Sequence, residues 1–277
     1  MAKYSEFELT MKSVSTSSSS LDVSVGSIAW GEATKGVLTE LEKRQLIENF
    51  KFVLDQERLD ADRRRLGLLN PKFISVADLV PPDTKMVKES LAYVSEIYRP
   101  TLLRHCWRSY YFGALISMHD GIEFDRELGF TASILHDLGL TSSANPPPCE
   151  CCFAVSGGVN ARDFLLGRGF SRERANIVGH AVAVHLNYHV PFEEHGATAF
   201  LVTRGAICDV FGAGVSRMSQ DSVKEVLAKY SRDELYTVFN DTAFEHLVDT
   251  RFEASFKAVS NGEVEVFSHP LDMAPFV

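Results

Sequence analysis

The residues with the greatest chemical potential are the adjacent His136 and Asp137, in the string Thr131-Ala-Ser-Ile-Leu-His-Asp-Leu-Gly-Leu140. Ionisable side chains stay out of apolar cores unless they are paired or bound to a metal. Neighbours on a helix diverge by about 100°, so an imidazole and a carboxylate in succession can grip one ion only where the helix stops. Gly139 supplies that stop. Taken alone, the pair also reads as a helix C-terminus whose histidine bonds the last carbonyls. Two further residues change the weight. His105 lies in the apolar, aromatic run from Leu102 to Met118, and Asp209 lies in Gly205-Ala-Ile-Cys-Asp-Val-Phe-Gly212. Each by itself resembles a satisfied core residue. Together, His105, His136, Asp137 and Asp209 make a shell of two imidazoles and two carboxylates. Its nitrogen donors suit one divalent transition metal, Zn or Fe(II) first and Mn also, rather than Ca or Mg. Asp137 is both a ligand and a candidate catalytic carboxylate.

A second histidine cluster follows, Gly179-His180-Ala-Val-Ala-Val-His185-Leu-Asn-Tyr-His189. His185 and His189 share a face if the helix continues between them, but Asn187 and Pro191 favour its fraying first. The reading is a mononuclear site in which His185 is the proton-transfer group, since an imidazole titrates near neutrality. The alternative is a dinuclear site bridged by Asp137. His180 is expected to be structural and His195 exposed. Trp107, Tyr111 and Phe153, with Tyr110, are expected to wall a small apolar substrate pocket. Arg108 would share the face of His105 and could hold a phosphate, with Arg104 and Arg217 as further candidates. Cys149, Cys151 and Cys152 lack the spaced ligand pairs of a zinc knuckle and read as a loop at the pocket mouth, whereas Cys106 and Cys208 read as buried. Gly157-Gly158 reads as a tight turn opening a helix, or as an anion cradle.

The elements that must position these groups are helical. Thr39 with Glu42, and Ser231 with Glu234, have the spacing of capping boxes. Leu46, Ile47, Phe50, Val53 and Leu54 recur at helical period, as do Val87, Leu91, Val94 and Tyr98. Asp125 and Ser171 are N-cap candidates. Alternation of the strand kind is nearly absent, with Val264–Phe267 the one weak candidate. The expected fold is all-α, with roughly eight to eleven helices. Residues 1–27, which include the Ser-rich run Ser15–Ser20, read as a flexible tail. Residues 28–277 read as one helical domain whose metal-site core spans about 100–215.

Composition sets the outer bounds. With 28 Lys+Arg against 37 Asp+Glu and a net charge of −9, the chain has the wrong sign for nonspecific nucleic-acid binding. At 45% hydrophobic and 23% charged residues it is globular in kind. No apolar run reaches the roughly 18–20 residues that span a bilayer, and no secretory signal pattern opens the sequence. Five cysteines, an odd number, suit a reducing interior better than a disulfide scaffold. The expectation is a cytoplasmic protein acting on a small-molecule substrate, with neither nucleic acid nor membrane as partner; self-association into a homo-oligomer stays open.

The strings Leu102-Leu-Arg-His105-Cys-Trp-Arg-Ser-Tyr110, Ile134-Leu-His136-Asp137-Leu-Gly139, Val182-Ala-Val-His185 and Cys208-Asp209-Val-Phe-Gly212 together resemble the HD superfamily of metal-dependent hydrolases. Within it, the chain looks most like the branch containing fungal cyanamide hydratases, through the aromatic helix around His105 and the segment Cys152-Phe-Ala-Val-Ser-Gly-Gly158. The resemblance implies an HD-domain helical bundle whose core helices bring His105, His136, Asp137 and Asp209 to one ion. It departs from that branch at Ala154, where a Glu is usual, and at Val184-His185-Leu186, where an Arg-His pair followed by an acidic or amide residue is usual. The implied activity is addition of water to a small nitrile- or amide-like substrate, as a hydrolase or hydro-lyase (hydratase). Alternatives are a metal-dependent phosphohydrolase, a di-iron oxygenase, or a non-catalytic protein stapled by its metal.

Overall fold

The computed structural model describes residues 23–141, 152–235, 250–267 and 269–271. Eleven α-helices and four 3-10 turns, and no strand, occur among the described residues. The fold is all-α. The helices are α1 (Ile28–Thr34), α2 (Glu40–Arg65), α3 (Lys85–Ile97), α4 (Pro100–His119), α5 (Arg126–Leu135), α6 (Phe153–Gly167), α7 (Arg172–Val184), α8 (Phe192–His195), α9 (Ala197–Phe211), α10 (Gln220–Lys229) and α11 (Arg251–Ser260). No helix among the described residues is long and apolar enough to cross a membrane.

Local chemistry explains the helix starts. Thr39 and Glu42 close a reciprocal capping box at the head of α2, which satisfies donors the helix itself cannot. Asp125 accepts from the Glu127 and Leu128 amides, and Ser171 from the Arg174 amide. Pro100 sits in the first turn of α4, where its missing N–H costs nothing. The second proposed box fails: Glu234 takes a φ of 63°, so no helix begins at Ser231, and residues 236–249 lie outside the described part. Val264–Phe267 forms no strand.

Helices α4 and α9 form the centre. Built onto Gly205, a Cβ would lie 1.8 Å from the Ser109 carbonyl oxygen; built onto Gly113, it would lie 2.2 Å from that of Leu201. Both glycines therefore let the two backbones touch. The pairs Gly113–Leu201 and Ser109–Gly205 are each separated by one turn in opposite chain directions, so the helices run antiparallel. One more turn brings His105 opposite Asp209. Helix α4 is buried on nearly every side from His105 to Ser117, as a central helix must be.

Gly157 and Gly158 do not open a helix; they lie inside α6. A Cβ on Gly158 would meet the Gly179 carbonyl oxygen at 2.5 Å, so these glycines allow α6 and α7 to pack closely rather than cradle an anion. The N-terminal boundary also moves. The Val25 carbonyl accepts a 2.6 Å bond from Asn187, and Ser27 caps α1, so the packed domain begins before Ile28.

Two apolar clusters fill the molecule. One joins α3, α4, α5, α7 and α9 around Tyr110, Phe112, Phe130 and Leu201. The other joins α1, α2 and α11 around Trp30, Phe50, Phe153, Tyr188 and Ala258. Cys208 belongs to the first and its neighbour Ile207 to the second, so the end of α9 that carries Asp209 lies where they meet.

Candidate metal centre

Helix α5 ends at Leu135, His136 is its C-cap, and Asp137 starts a short 3-10 turn. The change of backbone path at this junction lets consecutive side chains converge, which an unbroken helix would forbid. His136, Asp137 and His105 from α4 are all buried, and each offers one ligand atom to a shared space.

His105 Nε2 and His136 Nε2 are 3.2 Å apart, and Asp137 Oδ2 stands 3.5 Å and 3.3 Å from them. Three donors held about 2.0–2.1 Å from a tetrahedral ion would be roughly 3.3–3.4 Å from one another. The observed triangle has these dimensions. Asp137 Oδ2 is buried and accepts no hydrogen bond, a costly state for a carboxylate oxygen unless a cation completes it. His105, His136 and Asp137 therefore fit a metal ion.

The other ring nitrogens are committed. His136 Nδ1 donates to the Ser133 carbonyl at 2.7 Å, and His105 Nδ1 donates to Asp209 Oδ2 at 2.6 Å. Both bonds leave Nε2 with its lone pair facing the triangle. Burial, partly offset by Asp137, holds His136 below the usual imidazole range, so the ring is neutral and able to donate to an ion.

Asp209 is the main correction to the expected shell. Its carboxylate is not part of the triangle. Arg108 binds it in a fork, Nε to Oδ1 and Nη2 to Oδ2, both at 2.8 Å, and Arg232 adds a contact to Oδ1 at 3.1 Å. With His105 on Oδ2, the oxygens are fully used. Burial would push this carboxyl up, but the Arg108 guanidinium and the bonds from His105 and Arg108 outweigh it and hold Asp209 far below the usual carboxylate range. An ionised Asp209 fixes the tautomer of His105 from behind.

Arg108 is thereby corrected too. It is wholly buried, spent on Asp209 and the Ser231 carbonyl, and unavailable to a substrate. Trp107 and Tyr111 also leave the expected pocket: Trp107 stacks on Tyr230 and Tyr111, with centroids 5.0 Å and 6.0 Å away, and packs on Phe130. Of the four expected substrate contacts, only Phe153 lines the cavity beside the triangle.

That cavity has a volume of about 460 Å³. Its inner end holds His105, His136, Asp137 and His185; its walls come from α9, α11 and the segment around Phe267. His185 Nδ1 donates to the Val182 carbonyl at 2.6 Å, and its ring meets His136 edge-on with centroids 5.1 Å apart. Burial first, then the neighbouring His136, hold His185 well below the ordinary imidazole range, so the expected titration near neutrality is not met and the ring is neutral. His189 is separated from it because α7 ends at Val184 and Tyr188 turns to a φ of 62°. His189 packs against Phe52 instead. His180 pairs with His195 at 3.2 Å, away from the centre, and His195 is only partly exposed in α8. Cys149 and Cys151 lie outside the described residues. Cys152 is buried and receives Arg251 Nη2 at 3.1 Å, while burial pushes the Cys106 and Cys208 thiols up.

Sequence reasoning missed α11. Arg251 pins its first turn by donating to the Ala183 carbonyl and to Asn187 Oδ1, each at 2.8 Å. Phe252, Ser255, Phe256 and Val259 then face the cavity. Their i, i+3, i+4, i+7 spacing is legible as a largely apolar stripe, but nothing local indicates that the stripe covers a site whose residues lie about 70–150 positions earlier in the chain. In comparison with known proteins, the chain matches no family model and no curated protein sequence.

Proposed function

We propose that this chain is an HD-type metal-dependent hydrolase or hydro-lyase that adds water to an uncharged nitrile- or amide-like substrate. The observation that carries this reading is the two-histidine, one-carboxylate triangle opening into a cavity with no Lys or Arg among its described lining residues. A Zn or Fe(II) ion held by His105, His136 and Asp137 would supply Lewis acidity and lower the pKa of water there.

The protein's own part follows from its hydrogen bonds. Asp209 and the Ser133 carbonyl keep the two Nε2 lone pairs turned inward. His185, with Nδ1–H tied to the Val182 carbonyl, has Nε2 left to accept a proton. On a nitrile, water's oxygen bonds to carbon as one carbon–nitrogen π bond breaks. His185 takes the proton from that water and returns it to the nitrogen, and tautomerisation gives the amide. Phe153, 5.8 Å from the His185 ring, helps keep bulk water from this exchange.

Phosphate ester hydrolysis is less well supported, because it wants free cations around the ion. Arg108 is held by Asp209, Arg104 by the Ser231 and Asp233 carbonyls, and Arg217 by Asp60 and Asp120. A di-iron oxygenase would need a second ligand set, and His189 stands against Phe52 rather than beside His185. The test is metal analysis of purified protein, followed by assays on an aliphatic nitrile and on p-nitrophenyl phosphate. About one ion per chain with amide formation is expected. Turnover of the phosphate ester alone would overturn the reading.

A further inference from the structure

The cavity is far larger than a nitrile or amide head group needs, and its chemistry is lopsided. Every carboxylate and imidazole among its described lining residues is at the inner end, apart from His269 on the outer segment; the rest of the wall is Phe153, Leu186 and apolar residues of α9, α11 and the segment Val266–Phe267, with the paired hydroxyls of Tyr188 and Ser255 its other polar groups. Aromatic rings connect the two ends. His136 meets His185 at 5.1 Å, His185 meets Phe153 at 5.8 Å, and Phe153 meets Phe252 of α11 at 5.8 Å. Beyond Phe252, the α11 stripe continues to Phe256, which is 58% exposed. An exposed phenylalanine at the outer edge of an apolar wall means the wall reaches the surface.

Resting on the metal-site reading above, we propose that the substrate carries an uncharged apolar body, alkyl or aryl, which lies along α11 while its small polar head reaches His105, His136, Asp137 and His185. Phe252, Phe256 and Val259 are then specificity-determining residues. A charged body would be desolvated against this wall without a partner, at a cost that apolar contact cannot offset. A body without apolar surface would leave the wall wet and gain nothing from it. A volume of about 460 Å³ falls within the usual range for sites that enclose whole small molecules.

The experiment is a binding series of straight-chain primary amides, acetamide to octanamide, measured by calorimetry on the full-length protein as purified, with metal content determined on the same sample. Affinity is expected to rise about fourfold per added methylene until the chain fills the cavity. Phe256→Glu, at a position exposed enough to leave the fold intact, is expected to reduce that increment to less than twofold for the longer chains. Equal affinity along the series, no binding at any length, or an unchanged increment in Phe256→Glu would overturn the inference. A normal increment in protein that holds no metal would support the apolar-body inference while removing the metal reading. Metal at one per chain with a flat series would do the reverse.

Discussion

Asp209 meets His105 one helical turn beyond the place where Gly205 meets Ser109. The 2.6 Å bond between Asp209 Oδ2 and His105 Nδ1 thus depends on a backbone contact that only glycine at 205 permits, because a Cβ there would lie 1.8 Å from the Ser109 carbonyl oxygen. Gly205→Ala must push α4 and α9 apart. The expected result is a loss of about 1–3 kcal/mol in unfolding free energy, the usual cost of overpacking, with weaker metal binding in the molecules that still fold. Denaturant unfolding and metal titration measure the two effects, and wild-type values in both would show that α4 and α9 are not held by this contact.

The triangle and the carboxylate behind it should respond differently to mutation. His136→Ala or Asp137→Ala removes a donor from a set of three, so bound metal should vanish while most helix content stays, read by metal analysis and circular dichroism.

Asp209→Asn removes the group that orients His105, not a donor. One ion per chain should still bind, about 10–100-fold more weakly. Stability should fall by about 3–5 kcal/mol, because the variant leaves the buried Arg108 without its charged partner. Complete loss of metal in Asp209→Asn would return Asp209 to the ligand shell.

His185→Gln tests the proton-transfer role. Metal should remain at one per chain, while hydration of a nitrile substrate slows by roughly 10²–10⁴-fold. Loss of metal in this variant would make His185 a ligand, and an unchanged rate would remove it from the chemistry.

Away from the centre, His180 gives a pH signature. Burial, then the neighbouring His195, hold its pKa below the ordinary imidazole value. The unfolded chain therefore binds this proton more readily than the folded one. The associated stability is complete above about pH 6.5 and declines as pH falls from there through the lower folded value. Melting temperature measured from pH 7.5 to pH 5 should fall less in His180→Gln than in the wild type; identical slopes would show that His180 is not desolvated.

Much of this was legible in residue order. Helix content and the caps at Thr39, Asp125 and Ser171 depend on interactions within a few residues, so local sequence determines them; the stop expected at Gly139 comes earlier, at Leu135, and Gly139 instead lies in the 3-10 turn against the Phe153 backbone. The buried group of His105, His136 and Asp137 was legible for a related reason: ionisable side chains in apolar runs need a partner, whatever the fold. Even part of the pocket error could have been avoided, since Trp107 lies about 200° around α4 from His105 and cannot share its face. What only the tertiary structure decided is which helix faces which. Asp209 could have served an ion, an arginine or an imidazole equally well by type. Antiparallel contact of α4 and α9 put Arg108 and His105 Nδ1 in its reach first, and a bidentate guanidinium together with the imidazole satisfies the carboxylate so fully that no oxygen is left to serve an ion. The α11 wall was decided in the same way. Its stripe marks a helix that must cover something, but only the anchoring of Arg251 on the end of α7 sets it over the cavity, and no local rule spans that distance along the chain.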